Sequence, residues 1–266
     1  MDQARVGFVG AGRMGLPMVE RLTGAGRDLI VYTRRPETRA ELERLGARTT
    51  GQLAQVARDS DVLLICVFDD HQLRELAEPL AAALPDGAVL ASHVTAPVAT
   101  LRSLAARFDR IGVVDAPVSG TPAEVRAARL TVLLGGRPED RAQVRSVVQA
   151  YASTVIESGD LGTALATKLV NNLLMAANTQ LAAEAVRLGE ALGIASEELL
   201  AALEHMSGGS SASQRVAQSA SLGEFADRIR PFVRKDVAIC ADHARQCGAD
   251  PGLLFDVVRH GPLALG

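Results

Sequence analysis

Through its first 160 residues or so the chain alternates short β-rich runs with helical patterns, and this alternation restricts the fold more than any other feature. The β-rich runs lie at 5–9, 29–32, 62–67, 89–92 and 112–115, with later ones at 130–134 and 154–156. Helical patterns occupy 15–24, 35–45, 52–58, 72–83, 99–108 and 139–151. Strands alternating with helices predict a mostly parallel sheet covered by helices on both faces. Runs such as Val62-Leu-Leu-Ile-Cys-Val67 are apolar at nearly every position. That is the pattern of a strand with no solvent face.

After Gly162 the strand patterns stop. Residues 163–192 predict one helix of about 30 residues, roughly 45 Å long, with Gly193 as its stop. Shorter helices are expected at 196–206, 213–221, 230–246 and 251–259, and a mobile loop at 207–213. A long apolar helix is not stable alone in water and needs partners on several faces. The second domain or another subunit has to supply them. The domains expected are therefore 1–161, an α/β dinucleotide-binding unit, and 162–266, all helical.

The first β-rich run leads into Gly10-Ala-Gly-Arg-Met-Gly15. A lone match to this glycine spacing is weak, but here a strand precedes it, a helix follows, and another strand ends near Thr33. Gly10 allows the tight turn, Gly12 lets a pyrophosphate approach the backbone, and Gly15 lets the helix pack close to the strand. The phosphates would sit at the helix N-terminus on the amides of Arg13 and Met14. The second strand ends Val31-Tyr-Thr-Arg-Arg35. A carboxylate at this point would hold both ribose hydroxyls of NAD. Thr33 and Arg34, with Arg35 in support, favour the 2′-phosphate of NADP instead.

Only Lys168 and Lys235 of the 28 basic residues are lysine, and only Asn171, Asn172 and Asn178 are asparagine. Arginine stays charged at physiological pH, whereas a lysine in a drier site can give up its proton. An arginine-favouring composition explains the count equally well. Lys168 and Asn172 are four apart, so a helix puts both on one face, with Met175 and Thr179 continuing the stripe. Burying that amide costs free energy unless something polar meets it. A ligand in a cleft would meet it; a solvent-facing stripe is the alternative. Asp115-Ala-Pro-Val-Ser-Gly120 follows a strand, and its small residues and Ser119 hydroxyl suit a carboxylate or a plain structural turn.

Net charge is −3, which gives no electrostatic case for nucleic acid. Cys66, Cys240 and Cys247 lack metal-ligand spacing and suggest a reducing compartment. The apolar run at 6–9 is too short for a signal peptide or a membrane span. A cytoplasmic protein without metal or membrane partner is expected.

Four motifs in order resemble the β-hydroxyacid dehydrogenases, a family that includes 3-hydroxyisobutyrate dehydrogenases, tartronate semialdehyde reductases and glyoxylate/succinic semialdehyde reductases. They are Gly7-Phe-Val-Gly-Ala-Gly-Arg-Met-Gly-Leu-Pro-Met18, Asp115 to Gly120, Gly159-x-x-Gly162 through Lys168-Leu-Val-Asn-Asn172, and Phe232-Val-Arg-Lys-Asp236. The resemblance covers nearly the whole chain. It implies a Rossmann domain followed by an all-helical domain, and a homodimer or homotetramer formed through the helix starting near Thr163. It implies Lys168 as general acid/base and Asn172 as the residue that orients substrate. Ser119, Gly120, Thr121 and Lys235 would receive a small carboxylate substrate. Gly10, Ala11, Gly12, Arg13, Met14, Gly15, Thr33, Arg34, Arg35, Val67, Phe68, Val94 and Lys235 would receive the cofactor. Burial beside Ala and Leu would lower the Lys168 pKa toward a working pH.

The chain departs from that family at three places. His93 and Val94 replace a Ser-Thr pair before Pro97, leaving His93 as a new site group or an exposed loop residue. The substrate loop continues Gly120-Thr-Pro-Ala-Glu-Val-Arg126 instead of with small residues, and Phe68 stands where Pro is common. The chain ends at Gly266, about one helix early. Two other readings fit the architecture: an imine reductase, which typically carries Asp or Tyr at the Lys168 position, and an inactive nucleotide-binding homologue.

Overall fold

The computed structural model describes residues 4–219 and 221–265. The chain divides into two compact units, Met1–Lys168 and Leu169–Gly266. In the first, β1 (Val6–Val9), α1 (Gly15–Gly24), β2 (Leu29–Tyr32), α2 (Pro36–Arg44), β3 (Arg48–Thr50), α3 (Leu53–Arg58) and β4 (Val62–Ile65) follow one another. Then come α4 (Asp70–Ala83), β5 (Val89–Ser92), α5 (Val98–Arg107), β6 (Gly112–Asp115), β7 (Val118–Ser119) and α6 (Pro122–Arg126). The unit continues with β8 (Leu130–Gly135), α7 (Pro138–Val148) and β9 (Ala152–Gly159), and α8 (Thr163–Ala191) begins in it.

The sheet order is β3-β2-β1-β4-β5-β6-β8-β7, with β9 paired to β8. β1 through β6 are parallel to one another. β8 runs antiparallel to β6 and β7, and β9 runs parallel to β8. Leading with 3-2-1-4-5-6, this is the doubly wound order, whose reversal point lies between β1 and β4. Alternation along β4 shows why it carries no polar residue. Val62 and Leu64 enter a core shared with Met18 and Leu22 of α1 and Val144 of α7. Leu63 and Ile65 enter the opposite core with Leu73 of α4 and Leu101 of α5.

Two strands were not expected from sequence. β3 has only three residues, one of them buried, so it carries no apolar run. β7 has two, and it exists because it pairs with Thr131 and Val132.

The second unit contains the rest of α8 and helices α9 (Ser196–Leu203), α10 (Ser211–Ala217), α11 (Leu222–Gln246) and α12 (Gly252–His260). α11 begins eight residues before its expected start and carries Pro231 inside it. The Ser221 side chain accepts from the Glu224 amide and fixes this earlier start. Similarly, Ser210 and Ser213 form a capping box that turns the end of the expected loop into the start of α10. Leu169, Leu173 and Ala176 of α8 pack with Val233 and Val237 of α11.

Candidate active site

The turn between β1 and α1 is shaped by what its glycines exclude. Gly10 has φ +103°, and a Cβ there would lie 2.2 Å from the Cys66 carbonyl oxygen. A Cβ on Gly15 would lie 2.0 Å from the Gly10 carbonyl oxygen. Gly12 has nothing within 4 Å of a Cβ position, so the space before it is open. The Met14 side chain makes no cap hydrogen bond at the start of α1. Ala11 and Met14 are half-buried, while Gly12 and Arg13 are exposed. Open space, a helix start and close-packed glycines form a cradle that fits a dinucleotide pyrophosphate.

At the end of β2, Thr33 is buried and its hydroxyl accepts from the Arg35 amide at 3.3 Å. Arg34 and Arg35 are exposed. Arg39 of α2 reaches the same corner: its Nη2 would be 2.9 Å from a Cβ on Gly51, which follows β3. Sequence reading did not include Arg39; its spacing from Arg35, one helical turn, was the available signal. Val67 is half-buried and Phe68 is 50% exposed beyond β4.

The turn after β5 corrects both expectations for His93. It is neither an exposed loop residue nor a group facing a site. It is buried, with Nδ1 2.6 Å from the Ala116 carbonyl oxygen and Nε2 2.8 Å from the Tyr151 hydroxyl. Burial lowers its pKa to about 4. Val94, expected at the cofactor, is 2% exposed with its side chain in the core.

After β6 the chain enters the expected substrate loop. Asp115 is fully buried, and its carboxylate accepts from the amides of Gly162 at 2.8 Å and Leu165 at 2.7 Å. It therefore caps α8, the helix that carries Lys168, from the end of β6. Burial raises its pKa against those hydrogen bonds, which act to lower it. Ser119 and Gly120 are half-buried, and Gly120 has φ +142°. The following stretch is a helix rather than a loop. Thr121 caps α6 in a capping box, its amide donating to Glu124 Oε2 at 2.6 Å. The Thr121 hydroxyl is thus engaged in local structure.

On α8, Lys168 is half-buried and Asn172, one turn on, is 8% exposed. The solvent-facing alternative for this stripe fails, because Thr179 is fully buried and donates to the Met175 carbonyl at 2.8 Å. Asn172 donates from Nδ2 to Asp236 Oδ2 of α11 at 2.6 Å and accepts at Oδ1 from Asn171 at 3.0 Å. Lys235 Nζ lies 2.9 Å from Asp236 Oδ1. That contact is an ion pair. The fourth sequence motif thus delivers a carboxylate to the third motif's amide. The sequence shows Asp236 only as the last residue of the fourth motif; its structural part follows from a buried asparagine needing an acceptor.

Among the described residues no cluster of His, Cys, Asp and Glu could hold a metal, and no helix is long and apolar enough to cross a membrane.

Residues 5–159 match the family described as NAD binding domain of 6-phosphogluconate dehydrogenase. Residues 162–261 match that described as NAD-binding of NADP-dependent 3-hydroxyisobutyrate dehydrogenase. A mitochondrial 3-hydroxyisobutyrate dehydrogenase of Homo sapiens is 32% identical over 209 residues, covering 77% of this chain and 62% of that protein. A Mycobacterium tuberculosis 3-hydroxyisobutyrate dehydrogenase solved with L-serine superposes with a TM-score of 0.84 at 23% identity, over 97% of this chain and 92% of that one. A Salmonella typhimurium 3-hydroxyisobutyrate dehydrogenase gives 0.82 at 25% identity, over 97% and 92%.

Proposed function

We propose, from the premise that the chain belongs to the β-hydroxyacid dehydrogenase family, that it moves a hydride between NADP(H) and a small β-hydroxyacid or its semialdehyde, with Lys168 as general acid/base. The coarser part of this is plain: the chain is a nicotinamide-dependent dehydrogenase acting on CH–OH groups.

When bound, the nicotinamide supplies the hydride in reduction and takes it in oxidation. The chain's residues do the remaining work. Lys168 gives a proton to the substrate oxygen in reduction and, as the neutral amine, takes it back in oxidation. Such help is worth roughly 10²–10⁴-fold. Asn172 orients the substrate. An amide nitrogen carries two hydrogens, and Asp236 accepts one, leaving one for a substrate oxygen. Ser119 and Gly120 seat the substrate carboxylate, with Thr121 shaping the loop and Lys235 adding positive charge. Gly10 to Gly15 hold the pyrophosphate, and Val67 and Phe68 flank the dinucleotide. Thr33, Arg34 and Arg35 receive the 2′-phosphate, and Arg39 adds a third guanidinium at that corner. A second copy of the chain, in a homodimer or homotetramer, would cover α8.

The observation that carries the reading is the Asn172–Asp236 bond. It fixes a buried amide one turn from the only lysine of α8, where an apolar residue would be cheaper unless a polar ligand is served. The test is NADPH consumption with succinic semialdehyde, tartronate semialdehyde and glyoxylate. We expect turnover that falls at least about 100-fold in kcat for Lys168→Ala, with NADPH binding retained. Full activity in that variant would remove Lys168 from the chemistry. NADPH should bind more tightly than NADH, and Arg34→Ala should narrow the difference about tenfold, the worth of one charge-assisted phosphate contact. Equal affinities in the native chain would refute the phosphate site.

A further inference from the structure

The turn after β5 and the loop after β6 are joined by a polar chain sunk in the apolar core. Tyr151, between α7 and β9, has no exposed surface, and its ring meets the His93 ring edge to face at 6.0 Å. The hydroxyl of Tyr151 reaches His93 Nε2 at 2.8 Å, and His93 Nδ1 reaches the Ala116 carbonyl at 2.6 Å. The chemistry of the groups places the protons. A carbonyl only accepts, so Nδ1 carries the hydrogen. The neutral ring then has a lone pair at Nε2, and Tyr151 donates to it. Each polar group is satisfied without water.

What this chain of bonds holds is one short segment. The Ala116 amide donates to the Ser92 carbonyl at 2.8 Å, and the Pro117 carbonyl accepts from Leu133 at 3.0 Å. The Ala116 carbonyl, between them, is taken by His93. Three residues later comes Ser119. Given the reading of Ser119 and Gly120 as the carboxylate seat, we propose that His93 and Tyr151 are positioning residues which set the height of that loop, and so govern substrate affinity rather than the rate of the chemical step. Two buried polar side chains are an expensive way to fill core volume. They are a direct way to fix one carbonyl in register.

Tyr151→Phe keeps the ring volume and removes only the hydroxyl. It should raise KM for succinic semialdehyde about tenfold, the worth of one buried hydrogen bond, with kcat and NADPH Kd within about twofold. His93→Leu should raise KM at least as far. His93→Gln, whose amide can donate to Ala116 and accept from Tyr151, should recover most of the loss. Hydrogen exchange read by mass spectrometry provides a measure that needs no substrate: exchange at 116–120 should quicken in Tyr151→Phe while that at 10–17 stays constant. If the native chain turns over no carboxylate substrate, the functional reading has failed while the exchange result still decides whether the pair holds the loop. Unchanged exchange at 116–120, an unchanged KM in an active enzyme, or parallel losses in KM, kcat and NADPH affinity would each overturn the proposal.

Discussion

His93 shows how one buried ring couples a loop to pH. Burial holds its pKa down to about 4 from the usual 6.5. The ring faces Tyr151, which in turn interacts with Cys66, and burial raises the pKa of both, that of Cys66 to about 12. An unfolded chain takes a proton on this histidine near pH 6.5, and the folded chain refuses it until about pH 4. The contribution to stability is therefore complete above pH 6.5 and disappears as pH falls to 4. At about 1.4 kcal/mol per pKa unit, the loss is about 3 kcal/mol. Urea melts at pH 7 and pH 4 should show His93→Gln losing less stability on acidification than the native chain. Equal losses in both would mean that another group governs the acid response. Asn172 makes a second residue-scale case. Replacing it by alanine leaves Asp236 with Lys235 as its remaining charge partner and one fewer donor, at a cost of about 1–3 kcal/mol, measurable by denaturant titration at neutral pH.

At the scale of elements, the connection between β6 and α8 is Asp115. Its carboxylate satisfies two amides at the start of α8, those of Gly162 and Leu165, six and three residues before Lys168. Asp115→Ala would leave those buried amides unmet and should cost about 2 kcal/mol or more, and it should lower kcat by loosening the turn that carries the lysine. Asp115→Asn, which offers one oxygen instead of two, should fall between. A variant as stable as the native chain would show that the cap is dispensable. Asp115 was visible in the sequence as the start of a motif, but nothing in the sequence said that its partners lay 47 and 50 residues on. The same limit explains the rest. The parallel strands were legible because Val62 to Ile65 are buried on both faces and so must all be apolar. The glycine turn was legible because its backbone tolerates no side chain at Gly10 or Gly15. β3 was not, because Arg48-Thr-Thr50 earns its strand from an edge pairing. His93 was misread because its partners, Ala116 after β6 and Tyr151 between α7 and β9, lie 23 and 58 residues on. Asp236 has no role visible in its own motif, because its partner Asn172 is on another helix.

At the scale of the molecule, α8 poses a question that its own chain does not answer. Val170, Leu174, Leu181 and Leu188 are 55%, 46%, 54% and 55% exposed, at spacings of four, seven and seven. That spacing keeps them on one face of the helix. Single exposed leucines are ordinary on a protein surface, but a row of them along one helix is a surface that water penalises. Burying each such side chain gains about 1.5–3 kcal/mol, so the row can support a stable interface between two copies. A second copy presenting the same row is the simplest occupant, because a two-fold axis pairs identical patches. Light scattering behind size exclusion should give a dimer or tetramer for the native chain. Leu174→Arg with Leu181→Arg should shift it to monomer, since the unpaired guanidinium groups would have to be desolvated to pair the helices. The lone subunit should keep its far-ultraviolet circular dichroism, because both substituted side chains already face outward. A native chain that elutes as a monomer, or a double variant that stays assembled, would show that α8 is not the surface that joins the copies.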